Sequence, residues 1–171
     1  MTIDPKFGKF NFLDFNIAAY AEQSEGRLHW NNDDYTLDID TLSGSTIQVG
    51  QETVMVVRNN TANDIPDGMA VYYTGVTGQR PTVALAIATN PLCRYTLGIT
   101  TQVIPKNGLG LITVFGGVRN LDTSSLAEGS VVYVSETVAG GFQTTQPLSP
   151  NVSMVVGVVI YQHATQGLIG V

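Results

Sequence analysis

The 171-residue chain reads as an all-β protein, a sandwich or barrel built from two related β units behind a short N-terminal arm. Three observations predict this. Apolar runs are short (YTLDI, TVMVV, AVYY, TVALAIA, LGITT, LITVF, SVVYV, MVVGVVIY, GLIGV), and turn formers such as NNDD, LSGS, PDG, VTGQRP, PKNG and AGG separate them. Strands at that spacing belong to sandwiches and barrels. A stretch of the chain also repeats: VRNNTANDIPDGMAVY at 57–72 returns as VRNLDTSSLAEGSVVY at 118–133, 61 positions on. Finally, charged residues make up only 13% against 43% hydrophobic ones, about half the usual charged share of ~25%. A surface made of Thr, Ser, Asn, Gln and Gly suits a chain that packs against copies of itself.

Residues 1–25 form the arm. It holds Phe7, Phe10, Phe12 and Phe15, four of the chain's six Phe, with Lys6 and Lys9 among them. DFNIAAYAEQSEG predicts a short helix, with Asp14 or Asn16 as N-cap, Ile17, Tyr20 and Ala21 on one face, and Gly26 as the stop. Phe7, Phe10, Phe12, Phe15, Ile17 and Tyr20 are the candidate partner-binding residues. The arm either packs back on its own body or docks on a neighbour, since a terminal segment is ordered only when something ties it down.

Residues 26–56 are a linking β segment. His29 lies in RLHWNNDD, and Asp33, Asp34, Asp38 and Asp40 form the densest acidic cluster. That run lacks the order and closing Glu of a calcium loop. It reads as an Asn-Asp turn, closed by side chains on their own backbone, then a strand with outward Asp38 and Asp40. A weak cation site is the other reading.

Residues 57–117 are the first β unit and 118–171 the second. Six of sixteen aligned positions are identical, where chance gives roughly one. Ile65 meets Leu126, and Asp67 meets Glu128. Leu97-Gly98-Ile99 recurs as Val156-Gly157-Val158 and Gly108-Leu109 as Gly167-Leu168, both 59 apart, so one loop has lost two residues. Each unit reads as a strand ending in Val-Arg-Asn, a polar loop, a tight Asp-Gly or Glu-Gly turn, a Val/Tyr strand and a hairpin. Units with too few strands to close a core alone bury their apolar faces against each other. Val54–Val57 and Val131–Val134 are apolar on both faces, which predicts burial on both, inside a sandwich or at a subunit interface.

Charge and motifs exclude several classes. The net charge is −6 and the eight basic residues are scattered, so no nucleic-acid groove is expected. MTIDPKFGKF has no apolar signal-peptide core, and MVVGVVIY at 154–161 is too short to cross a bilayer. The only cysteine, Cys93, suits a reducing compartment and reads as a small buried apolar residue. His29 and His163 have no metal-ligand spacing and read as satisfied polar residues on strands. Ser124, Asp122 and His163 assemble into a nucleophile set only on paper; Asp122-Thr123-Ser124-Ser125 reads as a capped turn before Leu126. GLGLITVFGG is no dinucleotide loop, and no carboxylate pair stands out for glycoside hydrolysis. Trp30 and the seven Tyr have two readings, a sugar platform or ordinary packing, and packing is the commoner fate. No cofactor is expected.

GRLHWNNDDYTLDID, IQVGQETVMVVRNNTANDIPDGMAVYYTGVTGQRPTVALA, GLITVFGGVRNLDTSSLAEGSVVYVSETVAGGFQTTQPLSP and VVGVVIYQHATQG together resemble a module of tailed-bacteriophage virion proteins, found in tail fibres, head fibres and capsid-decoration proteins. The resemblance covers residues 26–171; the arm stands outside it. It implies a non-enzymatic structural role, commonly as a trimer, in a virion assembled in the bacterial cytoplasm. No catalytic residue carries over from it. The implied partners are copies of the chain and the major capsid protein or another virion protein. With the arm as anchor, the expectation is a capsid-decoration or head-fibre protein. The end of the chain at Val171, without a distal domain, favours that over a short tail fibre or tail adaptor contacting the host surface or another tail protein.

Overall fold

The computed structural model describes residues 14–15, 23–41 and 44–171. The arm residues Phe7, Phe10, Phe12, Ile17 and Tyr20, and with them the expected helix, lie outside the described residues. Phe15 is half-buried and Asp14 exposed. From Leu28 onward the described chain is β, as its pattern predicts, apart from a short 3-10 helix at Pro91–Tyr95. β1 (Leu28–Asn31), β2 (Thr36–Asp40) and β3 (Thr46–Gln48) form a three-stranded antiparallel sheet. β4 (Thr53–Asn59), β5 (Ala70–Thr77), β6 (Arg80–Leu85), β7 (Thr96–Thr100) and β8 (Leu109–Phe115) form a closed barrel in the order β4-β6-β5-β7-β8. β9 (Gly117–Leu121), β10 (Val131–Val134), β11 (Phe142–Gln143), β12 (Val155–Tyr161) and β13 (Gly167–Gly170) form an open sheet in the order β11-β10-β12-β13-β9.

The sequence repeat is a repeat of pairing. Ala70↔Ile99 and Val71↔Gly98 in the barrel correspond to Val131↔Val158 and Val132↔Gly157 in the sheet. Both ladders are interrupted by a bulge at the same step, Val71/Tyr72 and Val132/Tyr133. Val57↔Gly110 likewise corresponds to Val118↔Ile169. Gly68 and Gly129 occupy the same tight turn with φ of 72° and 76°, a region that a side chain resists. Their N–H groups donate to Thr100 and Val159, again equivalent positions. The final hairpin differs: Thr100↔Ile112 becomes Val159↔Ile169, a slip of two residues that keeps every side chain on its face.

Two cores result. Val57, Ile65, Val71, Val83, Ile104 and Ile112 fill the barrel. A second core joins the outside of the barrel (Ala70, Ala86, Ala88, Cys93, Ile99) to the inner face of the open sheet, including Val132, Val134, Val156, Val159 and Ile169. β5 is therefore apolar on both sides, with Val71 facing the barrel and Ala70 the second unit. Small alanines on the barrel wall let the backbones approach. The turn before β11 enters there: Gly140 accepts from the Ala70 N–H at 2.9 Å and donates to the Ala86 carbonyl at 2.6 Å.

Burial on both faces does not extend to the two runs singled out for it. Val57, Val132 and Val134 are buried, but Met55 and Val131 are exposed. Cys93 is fully buried as expected, and burial raises its thiol pKa.

Candidate functional site

A polar cleft of about 390 Å³ lies where the β1–β3 sheet meets both units. Asn31, Asp38, Ser45, Thr46 and Gln48 line it from the sheet, Glu52, Asp67 and Thr101 from the barrel side, and Arg119 and Asn120 from β9. Arg119 is its centre. It extends from the Val-Arg-Asn end of the repeat, and Nη1 donates to Gln48 Oε1 at 2.6 Å and Glu52 Oε1 at 3.2 Å, while Nη2 donates to Asp34 Oδ1 at 3.3 Å. Gln48 Nε2 donates onward to Asp34 Oδ2, and Asn31 Nδ2 bridges Asp34 Oδ2 (3.3 Å) and Asp38 Oδ2 (2.8 Å). On the barrel side, Ser45 Oγ donates to the Thr101 carbonyl at 2.9 Å. One guanidinium thus clamps the second unit to the β1–β3 sheet, and one hydroxyl clamps the sheet to the barrel.

Burial dominates the electrostatics. It raises the pKa of Glu52, against the pull of a backbone hydrogen bond at Gln48 and the Arg119 charge. Asp67 is raised for the same reason, against the Gly68 N–H that its Oδ1 accepts at 2.8 Å. A second cleft of about 340 Å³ shares Asp67 and Asn120 with the first and runs along β9 to Phe142.

The acidic cluster corrects one expectation. Asp38 and Asp40 do not point outward; they are only 3% and 2% exposed. Strand alternation fixes which residues share a face but not which face is inside. Here the acceptors win the interior through hydrogen bonds: Asp40 Oδ2 accepts from the Ser24 N–H at 2.9 Å and Oδ1 from Thr46 Oγ1 at 3.2 Å. The turn itself forms as expected, with Asn31 Oδ1 accepting from the N–H groups of Asp33 and Asp34 at 2.9 and 3.1 Å. Asp38 Oδ1 and His29 Nδ1 are buried without a hydrogen-bond partner. His29 therefore departs from the expectation of a satisfied residue; it stands 4.0 Å from Asp38 Oδ2 and from Asp40 Oδ2. Among the described residues no group of three or more His, Cys, Asp or Glu is placed to hold a metal ion.

The fold brings the paper nucleophile set to one turn, where the Thr123 N–H donates to the His163 carbonyl at 2.9 Å, but the His163 ring is engaged with its own loop. Ser124 Oγ donates to Asp122 Oδ1 at 2.6 Å, the expected capped turn. His163 Nδ1 accepts from the Thr165 and Gln166 N–H groups, and its ring stacks on Tyr161. It sits just past the end of β12, where it closes a turn. Of the candidate arm residues, only Phe15 is described.

Arg119, Gln48 and Glu52 escaped the sequence reading. The one signal was Arg119's membership of the repeat, and its twin Arg58 shows why that is weak: the Arg58 Nε is buried and finds no partner.

No protein-family model, curated protein or solved structure matches the chain.

Proposed function

We propose that the chain is a non-enzymatic structural protein of a tailed-phage virion, a capsid-decoration or head-fibre protein held to the particle by its N-terminal arm and associating with copies of itself. The observation that carries this reading is the use made of the duplication. The second unit keeps the strand order and most of the register of the first and is welded to it through a shared core. Its arginine is engaged in holding the β1–β3 sheet. A duplicated shape, locked by internal polar bonds, serves rigidity. The resemblance of residues 26–171 to phage virion modules supplies the particle.

Immunogold electron microscopy of intact virions with an antibody to this chain tests the reading. Gold on heads is the expected result, followed by loss of attachment when residues 1–25 are deleted. Gold on tails moves the protein to a fibre or adaptor. A chain absent from both intact and denatured particles overturns the virion reading.

A further inference from the structure

The open sheet leaves a gap at the place where the barrel closes. In the first unit Val83 of β6 pairs with Tyr73 of β5 on one side and with Asn59 of β4 on the other. The repeat makes Asn120 the counterpart of Asn59, and Phe142 that of Val83, because Val134↔Phe142 answers Tyr73↔Val83. Asn120 and Phe142 do not pair. They line the cleft of about 340 Å³ from its two sides, β9 and β11, with Asp67, Gly68 and Met69 supplied by the loop before β5. Both walls are pinned to the barrel. Gly140 exchanges backbone bonds with Ala70 and Ala86 and so holds the start of β11. Leu121 of β9 packs so closely over Gly68 that a Cβ there would stand 2.6 Å from its Cδ2. Neither strand is free to slide across to the other.

We propose that this cleft is a binding site for an extended peptide segment carrying a lysine or arginine, supplied by a protein partner. The first unit shows what fills the equivalent place: a β-strand. The second unit keeps the hydrogen-bonding groups that such a strand needs and leaves them unused. The Ser135 N–H donates to the Gly141 carbonyl at 2.9 Å and the Val134 N–H to the Met154 carbonyl at 3.1 Å, so Val134↔Phe142 is a pair without mutual hydrogen bonds. The N–H and carbonyl of Phe142 therefore point away from β10, to the cleft side. Across from them, Asn120 sits with φ 60° in a bulge of β9 between Val118↔Ile169 and Leu121↔Gly167. The first unit has no bulge at Arg58 and Asn59, and a bulge re-aims side chains. The Asn59 amide is engaged by the Asn63 and Ile104 carbonyls, whereas the Asn120 amide is exposed and has no partner among the described residues. A carboxamide offers a donor and an acceptor side by side, as a strand edge does. Charge selects the side chain. Asp67 and Asp122 border the cleft and no basic residue does. Asp67 also borders the adjoining cleft, whose one cation, Arg119, is already bound to Asp34 and Glu52. The apolar wall of Met69, Leu126 and Phe142 suits the stem of a lysine or arginine whose head reaches the carboxylates. In strand addition of this kind the main chain gives affinity and the pockets give specificity.

The inference needs only the fold of the second unit and stands or falls apart from the virion reading. Its test is a titration of the isotope-labelled full chain, followed by amide shifts in NMR. The probes are acetyl-Thr-Val-Lys-Val-Thr-amide, the same peptide with Glu in place of Lys, and N-acetyl-lysine methylamide. The lysine peptide is expected to move the amides of Asp67, Asn120 and Phe142 and to saturate. The glutamate peptide should bind about tenfold more weakly or worse. The double variant Asp67→Asn, Asp122→Asn keeps an acceptor for the Gly68 and Ser124 N–H groups and should weaken the lysine peptide about tenfold. Asn120→Gly accepts the same φ, deletes the amide and should weaken both peptides, with the spectrum of the free chain otherwise unchanged. Cleft amides that stay in place at millimolar lysine peptide overturn the proposal. So does a glutamate peptide that binds as tightly, or binding indifferent to both variants. If the lysine methylamide alone reproduces the shifts at equal concentration, the cleft is an ammonium site without strand addition, which equally overturns it.

Discussion

The two β units share a strand order and most of a register, yet one is a closed barrel and the other an open sheet. The difference lies in a single strand. In the first unit β6 runs for six residues, and its Thr82 and Val83 pair in parallel with Arg58 and Asn59 of β4, closing the barrel. Its counterpart β11 is two residues long and pairs with β10 alone among the described residues. The barrel fills itself. The open sheet has no interior of its own and takes the barrel's outer wall, Ala70, Ala86, Ala88 and Ile99, as its second layer. Duplication here yields one self-sufficient unit and one dependent unit.

The sharpest way to break that comparison is to separate them. Residues 117–171 alone are expected to remain unfolded, because the sheet loses the layer that covers Val132, Val159 and Ile169; residues 23–116 are expected to keep a cooperative melt followed by circular dichroism. A folded isolated second unit would show that the sheet is autonomous after all. Next in size are the twin glycines. A Cβ on Gly98 would stand 2.1 Å from the Thr113 carbonyl oxygen, and one on Gly157 2.1 Å from that of Gly170. Both Gly→Ala changes force strands apart, and each should lower stability by at least the ~1–3 kcal/mol of an overpacked core in urea denaturation. Equal losses support equivalent roles; a much smaller loss at Gly157 would mean that the open sheet yields where the barrel cannot.

These twins show what the sequence made legible. Gly98 and Gly157, Gly68 and Gly129, and the Val/Tyr strands are local features, and each kept its meaning in both units. Closure was not local. TVALAIA against FQTTQPLSP already showed an apolar run in one unit and none in the other, but the consequence depends on whether β4 finds a parallel partner across the barrel. The site was less legible still. Arg119 reaches Asp34 and Gln48, which lie 85 and 71 residues away, and no spacing rule links them. The orientation of Asp38 and Asp40 turned on hydrogen bonds from Asn31, Ser24 and Thr46, not on their polarity.

The twin arginines sharpen the comparison at a smaller scale. Arg119 binds two carboxylates, whereas Arg58 leaves its Nε buried and unpaired. Arg119→Met should destabilise by about 1 kcal/mol, a half-exposed ion pair being worth little but its loss leaving Glu52 half-buried without its cation. Added salt should shrink the difference. Arg58→Met should be neutral or slightly stabilising, since it removes an unsatisfied donor. A larger loss at Arg58 than at Arg119 would invert the assignment of the clamp.

The smallest effect concerns pH, and its sign differs between the junction and the second unit. Burial raises Asp67 above its ordinary 3.8, so the folded chain holds that proton more tightly than the unfolded one. Its contribution is full below the ordinary value and is lost as pH rises through the raised one. Glu136 is lowered from its ordinary 4.5, chiefly by the Asn151 amide that donates to it at 2.7 Å and by Gln143. Its contribution is full above the ordinary value and is lost as pH falls through the lowered one. Asp67→Asn should therefore gain on the wild type at neutral pH, with the gain fading below about pH 4. Glu136→Gln should lose at neutral pH, with the loss fading in acid. Urea midpoints at pH 3 to 7 read both slopes from one series. If both substitutions shift stability in the same direction at pH 7, burial and hydrogen bonding do not set these two carboxylates apart, and the junction is no drier than the surface of the second unit.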